Sequence, residues 1–153
     1  MTTEPLFVTQ LGQVDYTHVR YAPVLNARGK VLLLQRSSGM RSCPNHWRGI
    51  SGYLDDDRSV EEKARQEMLK EVGIAADRIL STQRGVVLLQ EAPKCGKSWL
   101  VVSVLVCVRD RRYRLDWESQ AADWFSMIEA MRLPLLPGFE AVIAQYRNVI
   151  DRD

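Results

Sequence analysis

Along residues 59–74 the apolar positions recur at helical spacing: at about 100° per residue, Val60, Ala64, Met68 and Val72 fall on one stripe. Ser59 and Glu62 form a capping box, in which the hydroxyl serves an orphan N–H of the first turn and the carboxylate reaches back to the cap. Glu61 and Glu62 suit the positive end of the helix dipole, and Gly73 is the left-handed terminator. The pattern therefore predicts a helix over Val60–Val72. Two acids share its apolar side, since Glu71 falls between Val60 and Ala64 and Glu67 lies one position off the edge. Lys63, Gln66 and Lys70 are expected to point more toward solvent.

Elsewhere the period is that of strands. Residues 19–25 and 30–35 read as two strands joined by a turn at 26–29, which together make a hairpin. Residues 37–45 form a polar loop, and the segment WRGISGY (47–53) leads into the helix with glycines that allow close approach of main chain to a ligand. Residues 79–90 read as one long or bent strand, broken near Arg84 and Gly85, and residues 99–109 as a β-branched partner antiparallel to it across a turn at 93–97. Residues 126–131 form a short capped helix. Residues 139–150 are expected to make one closing amphipathic helix on Phe139, Val142, Ile143, Tyr146 and Ile150. Residues 1–17 show no clean period and suit an arm or an edge strand. The sum is α/β, a mixed sheet between helices.

Composition narrows the class. With 153 residues, 46% of them hydrophobic and 26% charged, the chain suits one globular domain with a proper core. A net charge of +2 gives no electrostatic case for nucleic acid or an anionic membrane as partner. The N-terminus lacks the basic start and apolar core of a signal peptide, and no run reaches membrane-spanning length. Cys43, Cys95 and Cys107 are odd in number and widely spaced, which fits free thiols in a reduced cytoplasm. Cys43 and His46, with His18 as the other histidine and no C-x2-C, do not make a zinc site.

The chemistry centres on the two acids. A carboxylate on a buried stripe is costly unless it is paired with a base or binds a cation, and two side by side repel one another. Glu67 and Glu71 therefore either rim the core against arginine or lysine, or hold a hard ion such as Mg²⁺ or Mn²⁺. Gly96, Lys97 and Ser98 echo the end of a phosphate-cradling loop, but Glu91 stands where its first glycine belongs and a strand follows. The arginines of RDRRYR (109–114) read as a solvated hairpin end in preference to a phosphate or RNA contact.

Residues 52–74 resemble the Nudix box, the hydrolase signature G-x5-E-x7-R-E-U-x-E-E-x-G-U with U aliphatic. Gly52, Glu67, Met68, Glu71, Gly73 and Ile74 stand where it wants them, with no gap. Three positions depart: Arg58 replaces the first Glu, Gln66 the Arg and Lys70 the first Glu of the final pair. The family couples its first Glu to that Arg, so both partners of one ion pair have changed together. Less negative charge implies fewer metal ions; Asp55, Asp56 and Asp57 read as an exposed acidic turn in preference to ligands that compensate in part.

The resemblance implies a single-domain Nudix-type α/β/α sandwich with a mixed β-sheet. It implies a divalent-metal-dependent hydrolase that splits a diphosphate linkage in a nucleoside diphosphate joined to another group. Glu67, Glu71 and Glu118 would hold Mg²⁺ or Mn²⁺ together with a carbonyl from the turn at Gly52, and either Glu67 or Glu118 would be the general base. Glu118 is chosen over Asp123 and Glu91 because it precedes Trp124 at the distance from which a loop acid reaches the metal in this family. Arg58, Arg36 and Arg48 are the candidates to meet the phosphates. Trp47 is the candidate to stack on a base, although it also reads as a core aromatic. The resemblance admits a homodimer, which no residue specifies. The alternative is a decayed Nudix-fold module that binds nucleotide without turnover. An isopentenyl diphosphate isomerase is disfavoured, because the strand before the box lacks a cysteine.

Overall fold

The computed structural model describes residues 19–40, 43–53, 57–92, 97–116 and 119–150. Asp55, Asp56, Cys95 and Glu118 lie outside them, as does the proposed arm at 1–17.

Strands β1 (Val19–Ala27) and β2 (Lys30–Arg36) form the expected hairpin, with Asn26 opposite Val31 and Ala27 opposite Lys30. The turn is tighter than the sequence suggests. Arg28 and Gly29 both have left-handed backbone, φ 52° and 82°, the two-residue geometry whose twist matches that of the flanking strands. Short strands β3 (Trp47–Arg48) and β4 (Gly52–Tyr53) follow, then helix α1 (Val60–Val72), a 3-10 turn at Ala76–Arg78, β5 (Ile79–Ala92), β6 (Lys97–Val108) and β7 (Ser119–Phe125). Helices α2 (Met127–Met131), α3 (Phe139–Ala144) and α4 (Arg147–Ile150) close the described chain.

The strands make one mixed sheet in the order β3-β2-β1-β6-β5, with β4 on β1 and β7 on β2. β1 and β6 run parallel from Val19 opposite Leu100 to Asn26 opposite Cys107, and the other pairings are antiparallel. Alternation along the central strands splits their side chains between two cores. Leu32, Leu34, Leu100, Val102, Val104 and Val106 join Val60, Met68 and Val72 of α1. Val31, Leu33, Val101 and Leu105 join Met127, Phe139, Val142, Ile143 and Tyr146 on the opposite face. Burial on both faces explains why β2 reads as a continuous apolar run. The result is the helix, sheet, helix sandwich expected. Among the described residues no helix is long and apolar enough to cross a membrane.

Two expectations need correction. The segment 139–150 is not one helix: α3 ends at Gln145, whose amide turns inward to Ser103 Oγ (2.8 Å) and accepts from the Val86 N–H (3.0 Å). This side chain satisfies a buried polar neighbourhood that helix continuation does not serve. The stretch 109–114 is solvated as expected, with Arg109, Arg111, Arg112 and Arg114 exposed, but it does not end a hairpin, since β7 pairs with β2 and not with β6. Arg111 donates to the carbonyls of Ala27 (3.2 and 3.1 Å) and Arg28 (3.1 Å), and its own carbonyl accepts from Trp124 Nε1 (2.9 Å). Arg78 and Arg112 both pair with Asp110. The arginines anchor the crossing from β6 toward β7.

Candidate functional site

Helix α1 forms where its caps dictate. Ser59 Oγ accepts from the Glu62 N–H at 3.1 Å, and Gly73 closes the helix at φ 68°, donating to Leu69 O at 3.1 Å. The next main-chain acceptors are satisfied from the β6–β7 crossing: the N–H of Arg114 bonds Val72 O (2.8 Å) and that of Asp116 bonds Glu71 O (3.2 Å). At the other end Glu61 takes two bonds from Arg84 of β5, at 2.8 and 3.1 Å, which holds its carboxyl below the usual carboxylate range.

The acidic face turns inward as its spacing requires. Glu71 is buried, with 3% of its surface exposed, and Glu67 is half-buried. Burial is the main cause that raises the Glu71 carboxyl from 4.5 to about 8; the Arg48 charge opposes it, and the hydrogen bond and charge of Glu67 add to it. Two carboxyls in contact repel one another as anions, so a proton held between them lowers the negative charge of the pair.

Arg48 answers that charge. Its Nη1 donates to Glu71 Oε1 at 3.3 Å and to Gly49 O at 2.9 Å. Strand alternation decides this, because in β3 consecutive side chains point to opposite faces. Arg48 faces α1, and Ile50 joins the same core. Trp47 takes the other face, edge-on to Phe125 with ring centroids 5.2 Å apart, while Phe139 lies against Gly49 on that side. The structure thus brings Arg48, and not Trp47, to the acids.

Arg58 is exposed at the turn before α1, where its Nη1 donates to Gln66 Oε1. The two altered box positions are therefore still partners, with the cation moved to the first of them. Gln66 and Lys70 are exposed, as expected, but Lys63 is buried at 7% exposure, against the expectation that it faces solvent. It lies four residues before Glu67 and eight before Glu71, on the same ridge of the helix, and its long stem makes such a position tolerable. That spacing is the signal in the sequence that points to its burial.

Arg36 ends β2 opposite Ser119, with a register shift beside it, and Gly52 pairs with Tyr21 of β1, a strand against which α1 packs. Glu118 lies outside the described residues. Asp57 is exposed. Among the described residues no three His, Cys, Asp or Glu side chains group as a metal site. The described donor set is two carboxyls with oxygen ligands alone, which suits a hard, water-rich cation.

The raised Glu71 value has a sign that can be tested. The folded chain holds a proton that the unfolded chain releases near 4.5, so between 4.5 and about 8 the native state binds more protons. Stability of the metal-free protein is then expected to fall as pH rises through that window and to level off above it. Thermal melts from about pH 5 to pH 9 check this, with Glu71→Gln as the variant that should lose the slope. Parallel slopes in the two proteins would remove Glu71 as the cause.

The chain matches the family model described as NUDIX domain over residues 16–146. Its fold is similar to that of a C. elegans Ap4A hydrolase binary complex, at 19% identity over 88% of this chain and 98% of that one, TM-score 0.71. It is similar to the NUDIX domain of Shewanella oneidensis NrtR complexed with ADP ribose, at 15% identity over 97% and 99%, TM-score 0.72. It is also similar to a MutT NUDIX hydrolase from Burkholderia pseudomallei, at 20% identity over 86% and 98%, TM-score 0.72. No curated protein matches the chain in sequence.

Proposed function

The chain belongs to the NUDIX domain family, and from that premise we propose that it is a divalent-metal-dependent pyrophosphohydrolase acting on a nucleoside diphosphate joined to another group. The observation that carries the reading is the Glu67–Glu71 pair, two carboxyls in contact on the inward face of α1, one of them 3% exposed. Apolar residues of similar volume would serve packing better than such a pair, so its presence needs a ligand to account for it. Glu67 and Glu71 would hold the ion, with Glu118 as a third ligand and the Gly52 carbonyl completing the set. Mg²⁺ or Mn²⁺, when bound, supplies neutralisation of phosphate charge and acidifies a water.

The chain's own residues supply the rest. A carboxylate, Glu67 or Glu118, takes the proton of the attacking water as its oxygen bonds phosphorus and the bridging P–O bond breaks. Arg58 and Arg36, at the turn before α1 and the end of β2, are the side chains we assign to the phosphates. Binding of the ion must expel the shared proton, so affinity for Mg²⁺ rises with pH up to about 8. We place the activity in a reducing, cytoplasmic setting, a reading supported by the odd number and wide spacing of Cys43, Cys95 and Cys107.

A panel of ADP-ribose, dinucleoside polyphosphates, NADH and oxidised nucleotides tests the proposal, with phosphate or nucleotide release measured in Mg²⁺ or Mn²⁺. At least one compound should be hydrolysed, and a chelator should stop the reaction. Arg58, Gln66 and Lys70 in place of the box residues favour a second reading, a module that binds nucleotide without turnover. Tight nucleotide binding with no release in any metal would establish that one instead.

A further inference from the structure

Arg48 is an unusual companion for a metal site. Its side chain is 12% exposed and that of Glu71 4%, so both polar groups are largely dehydrated. A single 3.3 Å contact joins them, in place of the two parallel bonds that a guanidinium and a carboxylate make when they fit one another. Arg48 Nε is buried with no hydrogen-bond partner among the described residues. A pair that offsets so little of its dehydration is not explained by stability. The guanidinium also holds one of the two oxygens that Glu71 can offer a divalent ion.

We propose that Arg48 is a built-in competitor for the acid pair: it balances the pair's negative charge in the metal-free protein, and a divalent ion must take Glu71 Oε1 from it. The metal concentration to which the site responds is then set by this arginine on β3, which lies outside the residues 52–74 that resemble the box. The inference rests on the reading of Glu67 and Glu71 as metal ligands. Removing the arginine frees Glu71 Oε1 and takes a positive charge from beside the ion, so the net effect is tighter metal binding.

The test uses the full chain and Mn²⁺ alone, with free Mn²⁺ counted by electron paramagnetic resonance. Arg48→Gln and Arg48→Ala should bind Mn²⁺ roughly tenfold more tightly than the wild type, and Arg48→Lys, which keeps the charge, should stay within about threefold. A purely structural arginine would give weaker binding in all three. Unchanged or weaker binding in both neutral variants overturns the proposal. Should those variants fail to fold, the wild type decides: the ¹⁵N signal of Arg48 Nε–H must move as Mg²⁺ saturates the protein, and a signal that stays in place refutes displacement. A wild type that binds Mn²⁺ while the variants show no gain sinks this inference alone. One that binds no Mn²⁺ sinks the metal reading of the acids with it.

Discussion

Glu71→Gln is expected to lower kcat/KM by about 10³-fold or more, the scale of loss when one electrostatic partner of a transition state is removed from a dehydrated site. The fold should survive the change. Glutamine has the shape of glutamic acid, its carbonyl can still accept from Arg48, and it is neutral, which is the state burial already favours for Glu71 below about pH 8. Because burial already favours the protonated form of Glu71, the substitution leaves the site's net charge near neutral pH where it was. The expected signature is loss of turnover and of Mn²⁺ binding with a melting temperature near that of the wild type. A variant that melts normally and retains a tenth of the wild-type rate would mean that the metal, or the chemistry, lies elsewhere.

Gly85→Ala should be the most damaging small substitution in the sheet, costing about 3 kcal/mol from overpacking and lost buried hydrogen bonds together. A Cβ at this position would lie 2.2 Å from Tyr146 Oη, 2.3 Å from Gln145 Oε1 and 2.7 Å from Ser103 Oγ. Those atoms form one cluster: Ser103 Oγ and Tyr146 Oη are 2.6 Å apart, and Gln145 bridges Ser103 to the Val86 N–H. Ser103 and Tyr146 are 1% and 3% exposed, so a displaced hydroxyl has no solvent to turn to. Thermal melts should show a drop of roughly 6–12 °C, whereas Gly39→Ala, whose nearest neighbour would be 3.8 Å away, should change little. Because the cluster and the acid pair lie on opposite faces of the sheet, activity per folded molecule should hold. A drop under about 2 °C would mean that the break in register between Arg84 and Val87, where β5 pairs with β6, absorbs the methyl.

The elements fixed by short-range rules are legible in the amino-acid sequence alone. Helix α1 has its N-cap, its apolar stripe and its left-handed glycine all inside residues 59–73, and the β1–β2 hairpin and the capping box at Ser126 and Glu129 are as local. The inward direction of Glu71 also follows from spacing alone, because its angle on the helix is set by its distance from Val60. Other features depend on which elements the chain folds against. Arg48 meets Glu71 across 23 positions only because β3 shows that side chain to α1, and Trp47 leaves for the opposite core by the same alternation. Lys63 is buried and Gln145 ends a helix for reasons supplied by neighbours far away in sequence. Periodicity says which way a side chain points within its own element. Which charge waits on the other side is decided by the order of strands in the sheet, and that is a property of the folded molecule.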